Sequence, residues 1–277
     1  MGAEKTGCSP GGPRRLAVAG LPCQVRPLED AGNGVPREMT IQTQNPAYSW
    51  ASSAETRSMI RLSEHAIHAV LFDLDGTLVR TQIDFPRMYA EMRAIARETG
   101  TPDDSMKDLQ ALEIVVLAVA AAGKNGGSIK RRMFDALESI EREGCANPSP
   151  MPGAGPLFAR LSELGIATGV VTRNCRSVSE SLLSRFGLKP DVLLTRDDVP
   201  RTKPDPDHVL RALDQLDALP AQSAMVGDHW QDIEVGRSAG CAVTVGVMGD
   251  RDRSWFEAIG PTYVVPDLWG ILDLIRE

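Results

Sequence analysis

Apolar and polar positions follow two different periods along this chain. Short runs rich in β-branched and other apolar residues recur at 69–72, 167–171, 192–194, 224–226 and 242–247, with 263–265 reading as a last strand. Helix-period patterns fill the gaps at 156–164, 178–186, 207–216, 233–239 and 268–275. Strand, helix, strand repeated in this way predicts an α/β fold, a Rossmann-like parallel sheet with helices on both faces. In such sheets ligands bind beyond the carboxyl ends of the strands.

One segment breaks the alternation. Residues 84–145 carry three helical patterns and no strand. Pro86 opens the first at a favoured helix position and Gly100 closes it. The second follows Pro102-Asp103-Asp104 and ends at Gly123; the third runs over 128–143, before Gly144. The pattern predicts a helical cap over 83–147, inserted after the first strand of an α/β core over 65–82 and 148–277, and placed to act as a lid.

The first 50 residues hold 13 Gly or Pro and no sustained period, so residues 1–64 read as a disordered extension. The apolar stretch after Arg14-Arg15 is too short for a signal peptide. Four acids (Glu4, Glu29, Asp30, Glu38) weigh against an organelle transit peptide, and a start at Met39 or Met59 is a third reading; the three stay open. The rest of the composition is that of a globular protein, 277 residues long, 42% hydrophobic and 24% charged. A net charge of -7 and a pI near 5.3 argue against a nucleic-acid partner. No apolar run approaches the roughly 20 residues of a membrane span, so no membrane partner is expected. Five scattered cysteines form neither a zinc pattern nor a disulfide framework, which fits a reducing compartment and a cytoplasmic location, or an organellar one if residues 1–60 are a transit peptide.

The chemistry gathers where the apolar runs stop. The first run leads into Leu71-Phe72-Asp73-Leu74-Asp75-Gly76-Thr77-Leu78. Residues two apart on a regular strand point the same way, so two carboxylates would share one small space. Like charges that close raise one pKa unless a cation lies between them. Thr172 follows the second run directly. Lys203 lies in Arg201-Thr202-Lys203-Pro204, and Gly227-Asp228 with Asp232 follows Met225-Val226. Asp232 lies one helical turn past Asp228 and can face the same site.

With these four motifs in order over residues 67–277, the chain resembles a haloacid dehalogenase superfamily hydrolase, most closely the phosphoglycolate-phosphatase-like branch with a small helical cap. The resemblance implies Asp73 as a nucleophile that forms an aspartyl-phosphate. It implies Asp75 as acid toward the leaving group and then base toward water. Thr172 would donate to the phosphoryl oxygens and Lys203 would offset their repulsion with the nucleophile. Mg²⁺ is the implied cofactor, held by Asp73, the Asp75 carbonyl and Asp228, with Asp232 supporting from behind. The implied reaction is hydrolysis of a small phosphorylated metabolite such as phosphoglycolate, by a monomer or homodimer. A sugar phosphomutase and an inactive phosphate-binding protein are the alternatives; the presence of Asp75 speaks against a dehalogenase.

Some positions depart from the family pattern. Arg173 stands where relatives often carry Asn, and either contacts substrate or faces solvent. Arg80 stands where many have Asp, so substrate contacts inferred from that Asp do not transfer. His229 and Trp230 either line the pocket mouth or are structural or simply exposed. Cys175 reads as a small core residue, and 124–127 as a surface turn.

Overall fold

The computed structural model describes residues 58–276. The chain enters as a hairpin, β1 (Ile60–Leu62) pairing antiparallel with β2 (His65–Ile67). β3 (Ala69–Phe72) follows, then the short β4 (Val79–Arg80). Three helices come next, α1 (Phe85–Glu98), α2 (Ala111–Ala121) and α3 (Gly126–Gly144). β5 (Ser149–Pro150) returns antiparallel to β4 and closes the insertion at its base. Strands and helices then alternate: α4 (Ala154–Glu163), β6 (Ala167–Val171), α5 (Arg176–Arg185), β7 (Val192–Leu194), α6 (Asp207–Gln215) and β8 (Ser223–Gly227). The chain ends with α7 (Trp230–Ala239), β9 (Val243–Val247), α8 (Arg253–Ile259), β10 (Tyr263–Val265), α9 (Trp269–Leu274) and β11 (Ile275–Arg276), which pairs with β1.

Six strands form one parallel sheet in the order β10-β9-β8-β3-β6-β7. The chain leaves β3 for β6 and β7 on one side, then crosses to β8, β9 and β10 on the other. That reversal opens a crevice at the carboxyl end of β3. β3 alternates strictly: Val70 and Phe72 pack into one core cluster, Ala69 and Leu71 into the cluster on the opposite face. Because both faces are covered, the strand reads as an unbroken apolar run. Fully burying a side chain such as Phe72 or Leu71 stabilises the fold by about 1.5–3 kcal/mol.

The helical insertion has its own core, built from Met88, Met92, Ile95, Ile114, Met133 and Leu137. α1 starts where Asp84 accepts from the Arg87 backbone N–H at 2.9 Å, with Pro86 in the first turn. α2 begins later than the sequence predicts. The acids after Pro102 open a 3-10 turn, Asp103–Met106, and the helix itself starts only after Gln110. There Glu113 accepts from the Gln110 N–H at 3.0 Å, closing a capping box.

Two further expectations are corrected. Residues 60–62 form a strand held on both sides, so an extension reaching to 64 is drawn too long; its three-residue strands are too short to show a period. The readings made on residues 1–57 lie outside the described residues. α7 begins at Trp230 rather than at 233, because Asp232 accepts from the His229 N–H at 3.0 Å and caps the helix one turn earlier.

Candidate active site

β3 stops at Phe72, so Asp73 and Asp75 lie beyond the strand and do not stand side by side on it. The Asp73 N–H still donates to the Val226 carbonyl at 2.9 Å, which fixes Asp73 against the end of β8. Gly76 then turns the chain at φ 81°, in the left-handed region. A Cβ at this position would come within 2.5 Å of Asp228 Oδ2, so the turn needs glycine twice over. Thr81 donates to Asp75 Oδ1 at 2.5 Å. The two acids meet around Asp228, whose charge raises the pKa of both.

Lys203 is the hinge of the charge arrangement. Its Nζ lies 2.6 Å from Asp73 Oδ1 and 2.7 Å from Asp232 Oδ1. Lys203 and Asp232 are 3% and 2% exposed, so this contact lies out of water and is little screened. Burial opposes the lysine charge, but Asp232 and Asp73 hold its pKa above the ordinary value. Behind it the Lys203 N–H donates to His208 Nδ1 at 3.2 Å. Burial, then the Lys203 charge, pushes His208 down to about 3, which leaves its ring neutral and able to accept.

The carboxylates outweigh this single cation. Burial pushes Asp73 up to about 8, with Asp232 and Asp228 adding repulsion against the pull of Lys203. Asp228 is raised too, by burial and then by Asp232, against Arg251. Ligand atoms of Asp73, Asp228 and Asp232 lie within 4.8 Å of one another. Such a cluster of hard oxygen donors, short of positive charge, fits a small divalent cation. The bonding divides the work among the three. Both Asp232 oxygens are occupied, one by Lys203 and one by the His229 N–H. Among the described residues, Asp73 Oδ2 has no hydrogen-bond partner and Asp228 Oδ1 has only a 3.4 Å contact from Thr77. Asp73 and Asp228 could therefore ligate directly, with Asp232 orienting Lys203.

Thr172 follows β6 at the same end of the sheet. Its N–H donates to the Leu194 carbonyl, and its Oγ1 accepts from the Asn174 N–H at 3.2 Å, which leaves the hydroxyl proton to donate. Arg173 is half-buried, lines the cavity, and donates to Gln110 and Gln231. His229 lines the cavity too, while Trp230 is 39% exposed; Cys175 is buried. Arg80 pairs with Asp250 at the exposed rim.

The cavity these groups enclose has a volume of about 640 Å³. Its floor is the acidic cluster with Lys203 and Thr172; its roof carries Met88, Tyr89, Gln110, Leu112 and Leu137 from the three inserted helices and the turn before α2. Several of its residues escape the sequence reading. Arg251 donates to Asp228 Oδ2 at 2.5 Å and to the Asp228 carbonyl at 2.6 Å. Arg196 forms a buried ion pair with Glu141 of α3 and also donates to the Arg173 carbonyl at 3.2 Å. Glu141 in turn accepts from the Cys175 N–H at 3.1 Å. Arg196 lies in the loop after β7, one residue removed from the strand end, near enough for the rule that picks out Asp73; Arg251 lies further along the loop after β9 and is not marked by it. Glu141, Gln110 and Thr81 carry no such signal.

The chain resembles known proteins. The family pattern described as haloacid dehalogenase-like hydrolase matches residues 70–246. An N-acetylmuramic acid 6-phosphate phosphatase from Pseudomonas aeruginosa is 32% identical over 68% of this chain and 86% of its own. A phosphoglycolate phosphatase from Xanthomonas campestris is 28% identical, over 73% of this chain and 94% of its own. The crystal structure of a hydrolase from Pseudomonas syringae shares the fold with a TM-score of 0.52 at 22% identity, over 74% of this chain and 96% of its own.

Proposed function

The chain belongs to the haloacid dehalogenase-like hydrolase family, and we propose that it is a Mg²⁺-dependent phosphatase acting on a small phosphomonoester through Asp73. The observation that carries this reading is the buried Lys203, bridging Asp73 and Asp232 beside Asp228. A lysine so placed steers the uncommitted Asp73 oxygen outward and supplies charge for an incoming phosphate. The relatives named for N-acetylmuramic acid 6-phosphate and phosphoglycolate support a small phosphorylated metabolite as substrate.

The reaction divides into two displacements. In the first, an Asp73 oxygen bonds to phosphorus as the ester P–O bond breaks, and Asp75 gives its proton to the departing alkoxide. In the second, water attacks the same phosphorus and loses a proton to Asp75. The Asp73–phosphorus bond then breaks and inorganic phosphate leaves. Burial pushes Asp75 up to about 6, so it holds a proton far closer to neutrality than an exposed aspartate does. The Thr172 hydroxyl and Lys203 would hold the phosphoryl oxygens throughout. Mg²⁺, held by Asp73, the Asp75 carbonyl and Asp228, would supply the missing positive charge that keeps Asp73 ionised. The segment 83–147 would serve as the lid that excludes bulk water.

Asp73→Asn tests this directly. The variant is expected to fold and to lose Mg²⁺-dependent release of inorganic phosphate from every ester by about 10⁴-fold or more. Release that persists in a clean preparation would overturn Asp73 as nucleophile. A wild type that moves phosphate between sugar hydroxyls without releasing it would establish a mutase instead.

A further inference from the structure

The cavity holds one arginine whose charge this chemistry leaves unmatched. Arg80 pairs with Asp250, Arg196 with Glu141 and Arg251 with Asp228. Arg173, among the described residues, has no carboxylate within ion-pair distance. Its Nη1 donates to Gln110 Oε1 and Gln231 Oε1, both at 2.5 Å and both neutral carboxamides. Burial depresses its pKa, against the pull of Glu113, Asp232 and Asp73, none of which lies within ion-pair distance. The Nε and Nη2 edge, the side of a guanidinium that matches two oxygens at once, makes no hydrogen bond among the described residues.

The groups around Arg173 are also donors in want of acceptors. Asn174 Nδ2, Gln231 Nε2 and Arg196 Nε are buried without a hydrogen bond, and all three residues line the cavity. Asn174 and Gln231 are 8% and 3% exposed, so water does not relieve them. Unpaired buried donors are rare, and three of them in residues that line one cavity mark a region short of acceptors. The phosphoryl end already has Lys203 and the Thr172 hydroxyl. Arg173 makes no hydrogen bond to the acidic cluster; its bond to Gln110, at the start of α2, turns it toward the helical roof.

We infer that the cavity contains a second anion subsite, formed by Arg173 with Asn174 and Gln231, and that the substrate is a phosphomonoester bearing another anionic group. That group is a carboxylate or a second phosphate, both of which offer the paired oxygens a guanidinium edge accepts. The inference rests on the phosphatase reading for the other end of the same substrate.

Calorimetric titration of the full chain in Mg²⁺ with three phosphonates that cannot be hydrolysed as esters tests it. Ethylphosphonate carries one anion; phosphonoacetate adds a carboxylate and methylenediphosphonate a second phosphonate. The wild type is expected to bind at least one doubly anionic probe about tenfold or more tighter than ethylphosphonate, and which one it prefers identifies the group. Arg173→Met is expected to erase that preference and leave ethylphosphonate binding nearly unchanged. Arg173→Lys, which keeps the charge and most of the packing, is expected to retain part of it. Equal affinity for all three probes in the wild type overturns the subsite. A preference that survives Arg173→Met overturns the role of Arg173. Equal weakening of all three probes assigns Arg173 to the phosphoryl end and also overturns it. If the preference holds while no ester releases phosphate, the phosphatase reading fails and the subsite stands. No binding of any probe removes both.

Discussion

The sheet and its helical roof meet the same cavity in different ways. The sheet delivers its side chains by topology. Parallel strands that reverse direction at β3 bring the residues after β3, β6 and β8 to one place, whatever lies between them in sequence. The roof delivers its side chains by docking. Gln110 and Glu141 reach the cavity only because α2 and α3 settle against the loop after β6. A strand-end carboxylate is thus committed by the fold, whereas a roof residue depends on a particular seating of one element on another.

The largest effect expected from the sheet side, beyond loss of Asp73, is at Asp75. Asp75→Asn removes the proton carrier, and general acid–base catalysis of this kind contributes roughly 10²–10⁴-fold. Hydrolysis of an alkyl phosphate, with its poor leaving group, is expected to fall by that factor. An aryl phosphate, whose leaving oxygen needs less protonation, is expected to fall less. The pH profile carries the same signature. Burial raises Asp75 to about 6, so its acid form is full below that pH and is lost as pH rises through it. The first displacement, read as the burst of alcohol in rapid quench, is therefore expected to slow above about pH 6 for the alkyl ester. Equal losses on both esters would separate Asp75 from the leaving group.

At the joint between sheet and roof, the expected effect is on stability. Arg196 and Glu141 have side chains 2% and 3% exposed, and their ion pair ties α3 to the loop that carries Thr172 and Arg173. Glu141→Gln preserves the shape and an acceptor for the Cys175 N–H but leaves the buried guanidinium with only the partly exposed Asp197, 3.9 Å from its Nε. Breaking such a pair from one side costs about 3–5 kcal/mol, to be read in urea unfolding. Arg196→Met with Glu141→Leu, which removes both charges, is expected to recover much of it. A single variant as stable as the wild type would show that the roof is not held at this point.

These two regions also differed in what could be read before the structure. Asp73, Thr172 and Asp228 are legible because each follows a β-type run, and a buried parallel strand has an unmistakable apolar signature. Arg196, just past the end of β7, is within reach of the same rule, whereas Arg251 lies further along the loop after β9 and escapes it. The roof gave its helices but not its contacts. Amphipathic spacing places Met88, Met92 and Ile95 on one face of α1, yet says nothing of what the polar ends of α2 and α3 will touch. The late start of α2 has a similar cause: Asp103 and Asp104 look like a helix start, and they do begin a helical turn, but one that stops at Met106. The capping box between Gln110 and Glu113 is where the longer helix starts, whereas the turn after Pro102 has no side-chain cap.

The smallest effect falls wholly within the roof, and it separates docking from charge pairing as such. Glu98 at the end of α1 and Arg132 on α3 make the same bidentate contact that a buried pair would, with Nη2 to Oε1 at 2.8 Å. Their side chains are 53% and 52% exposed, so water and salt screen the attraction and solvate either partner left alone. Glu98→Gln is therefore expected to leave the urea midpoint and turnover unchanged, at low salt and high salt alike. The contrast with Glu141→Gln is one of burial alone, since both changes delete one carboxylate facing one arginine between helix and neighbour. A loss at Glu98 as large as that at Glu141 would mean that the roof's internal ion pairs, rather than its seating on the sheet, set its position over the cavity.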